Sequence, residues 1–286
     1  MPPHAAAPDA AALSSWIGRT ETRSDRLDAA RSSALRAALG QAQVAAGDPL
    51  PLLHHWLAFW DVRPPGELGE DGHPARGGFM PPIALPRRMW AGGRLSFHRT
   101  PRLGDALTRV TTLRKIAEKA GRSGPLVFVT LEHAYQSDDG LVLVEEQDIV
   151  YRDQAASAPP PAADAEPPPP ADWRETLTPD PVLLFRYSAL TLNSHRIHYD
   201  RPYATQVEAY PDLVVHGPLQ ATLMLDLAVR HGGRPIASFD FRGVAAALQG
   251  RPLTVCGRTD DEGADLWTEQ DGGRRMVGRA TWGPPA

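Results

Sequence analysis

Residues 154–173, QAASAPPPAADAEPPPPADW, constrain the fold of this chain more than any other stretch. Runs of proline lack the amide hydrogens that helices and sheet interiors need, and alanine brings little apolar area to a core. The segment therefore reads as an extended, solvated linker. It divides 286 residues nearly in half, leaving residues 1–153 and 174–286 on either side. Both halves carry the same order of signals, so two matched α+β units are the economical reading.

In the first half, residues 24–39 (SDRLDAARSSALRAAL) predict a helix with a Ser or Asp cap and an apolar face at Leu27, Leu35 and Leu39. Strand-like runs follow at 108–120, 125–140 and 141–153, the last two joined by the hairpin signal Asp139-Gly140. In the second half, residues 214–233 (VVHGPLQATLMLDLAVRHGG) predict the longest helix. Pro218 suits its first turn, Leu219, Leu223, Met224 and Leu227 form its apolar stripe, and Gly232 supplies a stop. Residues 237–245, 251–261, 264–270 and 274–282 then read as successive antiparallel strands. A shared Gly-x-x-Leu-Thr strand entry, Gly104 to Thr108 and Gly250 to Thr254, ties the halves together.

A net charge of −4 makes neither nucleic acid nor an anionic membrane the default partner. The single cysteine, Cys256, excludes an intramolecular disulfide and a thiolate zinc cluster. No run approaches the roughly 18 apolar residues of a membrane span, and the N-terminal Ala run lacks a basic flank, so a cytoplasmic protein is expected.

Residues 190–200, LTLNSHRIHYD, concentrate the chemistry. His198 titrates near neutrality when unperturbed, and Asn193 can position a water or a carbonyl. The same residues could equally form a polar turn that bonds only its own backbone. His195, His198 and Asp200 raise the alternative of zinc, but no third distant ligand has metal-site spacing, so no metal is expected. His216-Gly217-Pro218 adds a helix start whose outward glycine N–H could hold a developing oxyanion. Arg87, Arg88, Arg186, Arg196 and Arg201 are candidates for a phosphate or carboxylate, with Arg186 and Arg196 preferred because they flank the loop.

LTLNSHRIHYDRPYA followed by VVHGPLQATLM resembles the MaoC-like, hydratase-type hot-dog domains of enoyl-CoA hydratases and type-2 3-hydroxyacyl-thioester dehydratases. The resemblance implies a double hot-dog, with antiparallel sheets wrapping a central helix. Residues 77–105 resemble the N-terminal half of such proteins, among them the mesaconyl-C4-CoA hydratases. Pro81, Pro82 and Pro86 there forbid a regular helix, so the first unit's central helix is expected to be broken, leaving room for the acyl group. The family pattern Gly-Asp-x-Asn-Pro-x-His places its catalytic histidine on His198, its asparagine on His195 and its aspartate on Asn193. Its thioester-holding glycine falls on Gly217.

An amide cannot act as a base near neutrality, so the resemblance implies His198 as the acid/base residue, with Asn193 orienting water or the thioester. His195, Arg196, Arg186, Tyr199, His216 and Arg88 are the expected substrate contacts. The implied reaction is reversible hydration of an α,β-unsaturated acyl-CoA, with a branched C5 dicarboxylyl-CoA as first expectation. A longer-chain (R)-3-hydroxyacyl-thioester dehydratase and a non-catalytic acyl-CoA binder stay open. No cofactor beyond the CoA of the substrate is expected, and a homodimer is implied by the resemblance.

Overall fold

The computed structural model describes residues 13–121, 124–153 and 168–284. Residues 154–167 of the expected linker, and the first twelve residues, lie outside that range. The first unit runs β1 (Thr20–Arg26), α1 (Ala29–Ala38), two short 3-10 turns (His54–Leu57, Pro65–Glu67), β2 (Arg87–Phe97), β3 (Ala106–Gly121), β4 (Gly124–Ser137) and β5 (Gly140–Arg152). The second runs β6 (Trp173–Leu177), α2 (Pro181–Thr191), a 3-10 turn (Arg196–His198), a π turn (Tyr203–Val207), α3 (Gly217–Gly232), β7 (Ile236–Gly243), β8 (Leu253–Thr259), β9 (Gly263–Gln270) and β10 (Gly273–Trp282). Trp173, assigned to the linker by composition, thus opens β6.

All ten strands form one antiparallel sheet in the order β1-β3-β4-β5-β2-β7-β10-β9-β8-β6. Each unit contributes five strands, and the order runs symmetrically outward from the β2·β7 pair at the centre. The duplication extends to single bonds. Asp28 caps α1 and Asp180 caps α2. The Gly104 N–H donates to Leu27 O and the Gly250 N–H to Pro179 O, both at 2.7 Å. Leu107 and Leu253, the leucines of the shared strand entry, are both buried.

Two boundaries differ from the sequence expectation. Ser24 to Arg26 pair with β3 as part of β1, and α1 starts only after Asp28, whose carboxylate accepts the Ala30 and Arg31 amides. Charged side chains alternating at 20–26 fit an edge strand as well as a helix start, and pairing decides for the strand. At the other end, α3 runs through Gly232 and stops at Gly233, which takes the left-handed φ of 65°.

The two units part at one place. After Val215, whose N–H bonds Ala247 O, the chain enters α3. After Leu50, whose N–H makes the equivalent bond to Pro101 O, only the turn His54–Leu57 forms, with Leu53 and Phe59 on either side at φ 66° and 59°. The first unit's central helix is therefore reduced to one turn. Its interruption lies upstream of Pro81, Pro82 and Pro86, which occupy the irregular lead-in to β2. The helix is lost where the backbone turns left-handed, and the prolines only keep the later segment from rebuilding it.

On the second unit's inner face α3 buries Leu219, Ala221, Met224, Leu225, Leu227 and Ala228. The same helix buries Asp226, which accepts from Gln41 Nε2 at 2.8 Å, and the first unit buries a carboxylate of its own. Glu145 accepts from His55 Nε2 (3.1 Å), Trp56 Nε1 (2.9 Å), Tyr135 Oη (3.0 Å) and Gln147 Nε2 (2.7 Å). Four donors offset the cost of removing one charge from water.

Candidate active site

The loop between α2 and α3 is built by short polar caps. Leu192 ends α2 at φ 50°, and Asn193 Oδ1 accepts the His195 N–H at 3.1 Å. Asp200 Oδ1 then accepts the Tyr203 N–H at 3.1 Å. The single 3-10 turn between them buries His198 and leaves the His195 and His198 rings edge to face, 5.5 Å apart. Asp200 is also held by the Arg196 guanidinium at 2.6 Å, so it does not converge with the two histidines as a zinc site would require.

His198 Nδ1 lies 2.7 Å from Val214 O. A carbonyl only accepts, so the proton is assigned to Nδ1 and the lone pair to Nε2. Burial, reinforced by the nearby His73, outweighs the carbonyl and lowers the His198 pKa to about 4. The side chain is a neutral base at neutral pH. Behind it His216 stacks at 3.6 Å and 21°, and Ser188 Oγ holds His216 Nε2 at 2.8 Å. Burial drives the His216 pKa well below the usual imidazole range, so this wall of the site carries no charge.

His216 directly precedes Gly217, the first residue of α3. The first amides of a helix have no intrahelical acceptor and lie at the positive end of the dipole. A Cβ at Gly217 would touch only Met276 Cε, at 3.5 Å, so the fold itself does not demand glycine there. Lacking a side chain, the Gly217 amide stays open to an approaching oxygen.

The first unit completes the site from the opposite side. Its segment 69–76 is bound to the loop between α2 and α3 by the Arg196 N–H on Asp71 O (3.0 Å), by Arg196 Nη1 on Glu70 O (3.1 Å) and by Ser194 Oγ on Gly72 O. Gly72 has φ 88°, and a Cβ there would collide with the Ser194 carbonyl. This close approach places the His73 ring 4.3 Å from the His195 ring. Asp71 Oδ2 lies 3.0 Å from His73 Nδ1. Burial, then His73 and His198, lowers the His195 pKa to about 2. Asp71 and His73 were missed from sequence, where the only signal was a carboxylate and an imidazole either side of a glycine in EDGHP.

Asp71, His73 and His195 each present a donor atom within 4.8 Å of the others, a set that on ligand type alone could hold a divalent cation. Asp71 is already committed to His73, and Arg88 Nε sits 3.6 Å from its carboxylate, a cation where a metal would have to be neutralised. The set therefore suits hydrogen bonding better than metal binding.

The arginines divide sharply. Arg186 is exposed on α2. Arg196 is engaged by Asp200 and by the Tyr203 ring, Arg201 by Asp212 at 2.9 Å, and Arg87 by Glu208 at 3.2 Å. Tyr199 is 47% exposed and braces the loop by donating to Ser194 O. Arg88 differs: it donates to Pro74 O at 2.7 Å, and its buried Nε has no hydrogen-bond partner. It lines a cavity of about 450 Å³ together with Asp71, Arg76, Arg87, Tyr203 and Glu208. The loop-flanking arginines preferred from sequence are thus the ones already committed or facing solvent.

A sequence profile described as hydroxyacyl-thioester dehydratase type 2 matches residues 53–249. The chain is 46% identical over 253 residues to the mesaconyl-C(4)-CoA hydratase of Chloroflexus aurantiacus, covering 88% of this chain and 90% of that protein. Among solved structures it is similar to a MaoC-like dehydratase from Phytophthora capsici, with TM-score 0.68, 13% identity and 93% and 95% of the two chains covered. It is also similar to a Mycobacterium tuberculosis protein described as having a double hot-dog fold, with TM-score 0.54, 17% identity and 93% and 96% covered. The profile match over residues 53–249 and the identity across both units establish that the chain is a double hot-dog member of the hydroxyacyl-thioester dehydratase type 2 family.

Proposed function

We propose that the protein catalyses reversible addition of water across the double bond of an α,β-unsaturated acyl-CoA thioester. The observation that carries this reading is the neutral, buried His198, its Nε2 lone pair free, beside the open amide of Gly217. The Gly217 N–H would polarise the thioester carbonyl and hold the enolate oxygen. His198 Nε2 would take a proton from water as the water oxygen bonds the β-carbon, then return it to the α-carbon. Asn193 spends its carbonyl on the His195 amide, which favours a loop-shaping role and leaves only its NH2 group for water or thioester. Hydration of a thioester-activated double bond calls for no redox or metal cofactor, and CoA arrives with the substrate.

The substrate we favour is a branched C5 dicarboxylyl-CoA of the mesaconyl-C4 type. Identity to a mesaconyl-C(4)-CoA hydratase supports it, as does Arg88, whose Nε pairs with Asp71 at 3.6 Å without a hydrogen bond, beside a cavity adjoining the site. The family's description favours a second reading, dehydration of longer 3-hydroxyacyl thioesters. A panel of enoyl-CoA thioesters followed by loss of enoyl ultraviolet absorbance separates them. Dicarboxylic substrates should show the higher kcat/KM, and Arg88→Met should erase that preference; equal use of simple acyl chains would favour the second reading, and turnover of none would end the hydratase claim.

Among the described residues no helix is long and apolar enough to cross a membrane. A cytoplasmic location fits the lone, buried thiol of Cys256. A homodimer is our reading from the family resemblance, checked by sedimentation.

A further inference from the structure

The hydratase reading leaves the reacting water with one assigned base, His198, and an amide where the family pattern has a carboxylate. We propose that His73, oriented by Asp71, is a second catalytic residue: it accepts a hydrogen bond from the attacking water and so replaces, from the other unit, the group that Asn193 cannot supply.

The geometry supports this at three points. Asp71 receives both the backbone N–H of His73 (3.0 Å) and its Nδ1 (3.0 Å), an arrangement that fixes the ring's orientation and leaves Nε2 as the acceptor. Asp71, His73 and His195 each place one polar atom within 4.8 Å of the others, and the His73 ring lies 4.3 Å from the His195 ring, itself edge to face with His198 at 5.5 Å, so His73 and His198 border the same small polar space. Gly72 and its bond from Ser194 press the segment against the catalytic loop, so the dyad is part of the same rigid contact that holds His195.

The step balances without another reactant. One water proton passes to His198 Nε2 as the oxygen bonds the β-carbon, and the π pair moves toward the α-carbon and thioester oxygen. His198 returns that proton to the α-carbon. The water's other hydrogen, held by His73 Nε2 throughout, remains on oxygen as the product hydroxyl. His73 thus aims the oxygen lone pair, and Asp71 is a positioning residue acting through His73.

The inference rests on the hydratase reading, and the test separates the two. On a thioester that the wild type hydrates, His73→Ala should lower kcat by about 100-fold with KM changed less than about threefold. His73→Gln, whose carbonyl oxygen can accept from water, should recover about tenfold of that loss. Asp71→Asn should lower kcat by about tenfold and move the acid limb of its pH profile to lower pH. The direction follows because Asp71 is the group facing His73 that favours its protonated form, whereas Arg88, Arg76 and burial oppose it. Asp71→Glu should restore part of both.

Thermal melts establish that each variant is folded, and should His73→Ala not fold, His73→Gln carries the comparison. Folded His73→Ala and His73→Gln with kcat within about threefold of wild type would overturn the dyad while leaving the hydratase reading intact. A wild type that hydrates no member of the panel would overturn both.

Discussion

The two units share strand order, helix caps and strand entries, yet they spend the same stretch of chain in opposite ways. Between α2 and α3 the second unit carries a long polar loop, residues 192–213, that holds His195 and His198. The corresponding residues 39–48 of the first unit are less than half as long and contain no histidine. The second unit keeps its central helix, whose first amide faces the site. The first reduces that helix to one turn, and the chain released, residues 58–86, extends across to brace the other unit's loop with Asp71, Gly72 and His73. A duplicated fold can thus divide its tasks: on the reading proposed above, one copy supplies the base and the oxyanion amide, and the other reaches across with His73 to aim the water.

On the hydratase reading, the contrast predicts that the second unit's loop carries chemistry while the first unit's buried carboxylate carries stability. His198→Ala should lower kcat by about 10²- to 10⁴-fold with little change in melting temperature, measured by enoyl hydration and calorimetry. His55→Ala, which removes a donor from the first unit's buried Glu145, should do the reverse. Removing one donor from a carboxylate of 0% exposure costs about 3 kcal/mol or more by denaturant unfolding, while kcat of the folded protein is kept. A catalytic loss at His55 would break the division.

Acid should weaken the first unit through its buried carboxylate. Burial alone would raise the Glu145 pKa, but the His55 hydrogen bond and the other donors hold it at about 2. A carboxylate held below its unfolded value of about 4.5 adds stability that is complete above that value and lost as pH falls toward 2. This amounts to about 3 kcal/mol, and Glu145→Gln should flatten the stability profile across that window. The smallest expected effect tests the symmetry itself. Asp28→Ala and Asp180→Ala each remove one helix cap and should cost about 1 kcal/mol apiece; a large inequality between them would show that the units do not share the load.

Much of this was readable in the chain because the signals were local. The hairpin at Asp139-Gly140 and the Pro218 helix start depend on backbone chemistry that neighbours hardly alter. Two features resisted. The start of β1 at Thr20 was hidden because an edge strand with alternating charged residues is specified by its partner β3 and only weakly by its own composition. The Asp71-Gly72-His73 segment was hidden because nothing in its spacing points to His195, more than a hundred residues on; only the left-handed Gly72 packed on Ser194 brings them together. Arg186 and Arg196 were favoured for their place in sequence, and it took Asp200 and the exposed face of α2 to show where their guanidinium groups go.

The strand pair at the middle of the sheet has a consequence for how the chain is held as one object. From Gly92 opposite Arg242 to Ser96 opposite Ser238, β2 and β7 are zipped edge to edge, and segment 69–76 adds a second seam at the loop. Both seams are non-covalent, and the bonds described in them come from β2, β7, segment 69–76 and the loop. Among the described residues, polypeptides ending at β5 and starting at β6 would together carry each of these bonds, so the two halves meet as the partners of a dimer do.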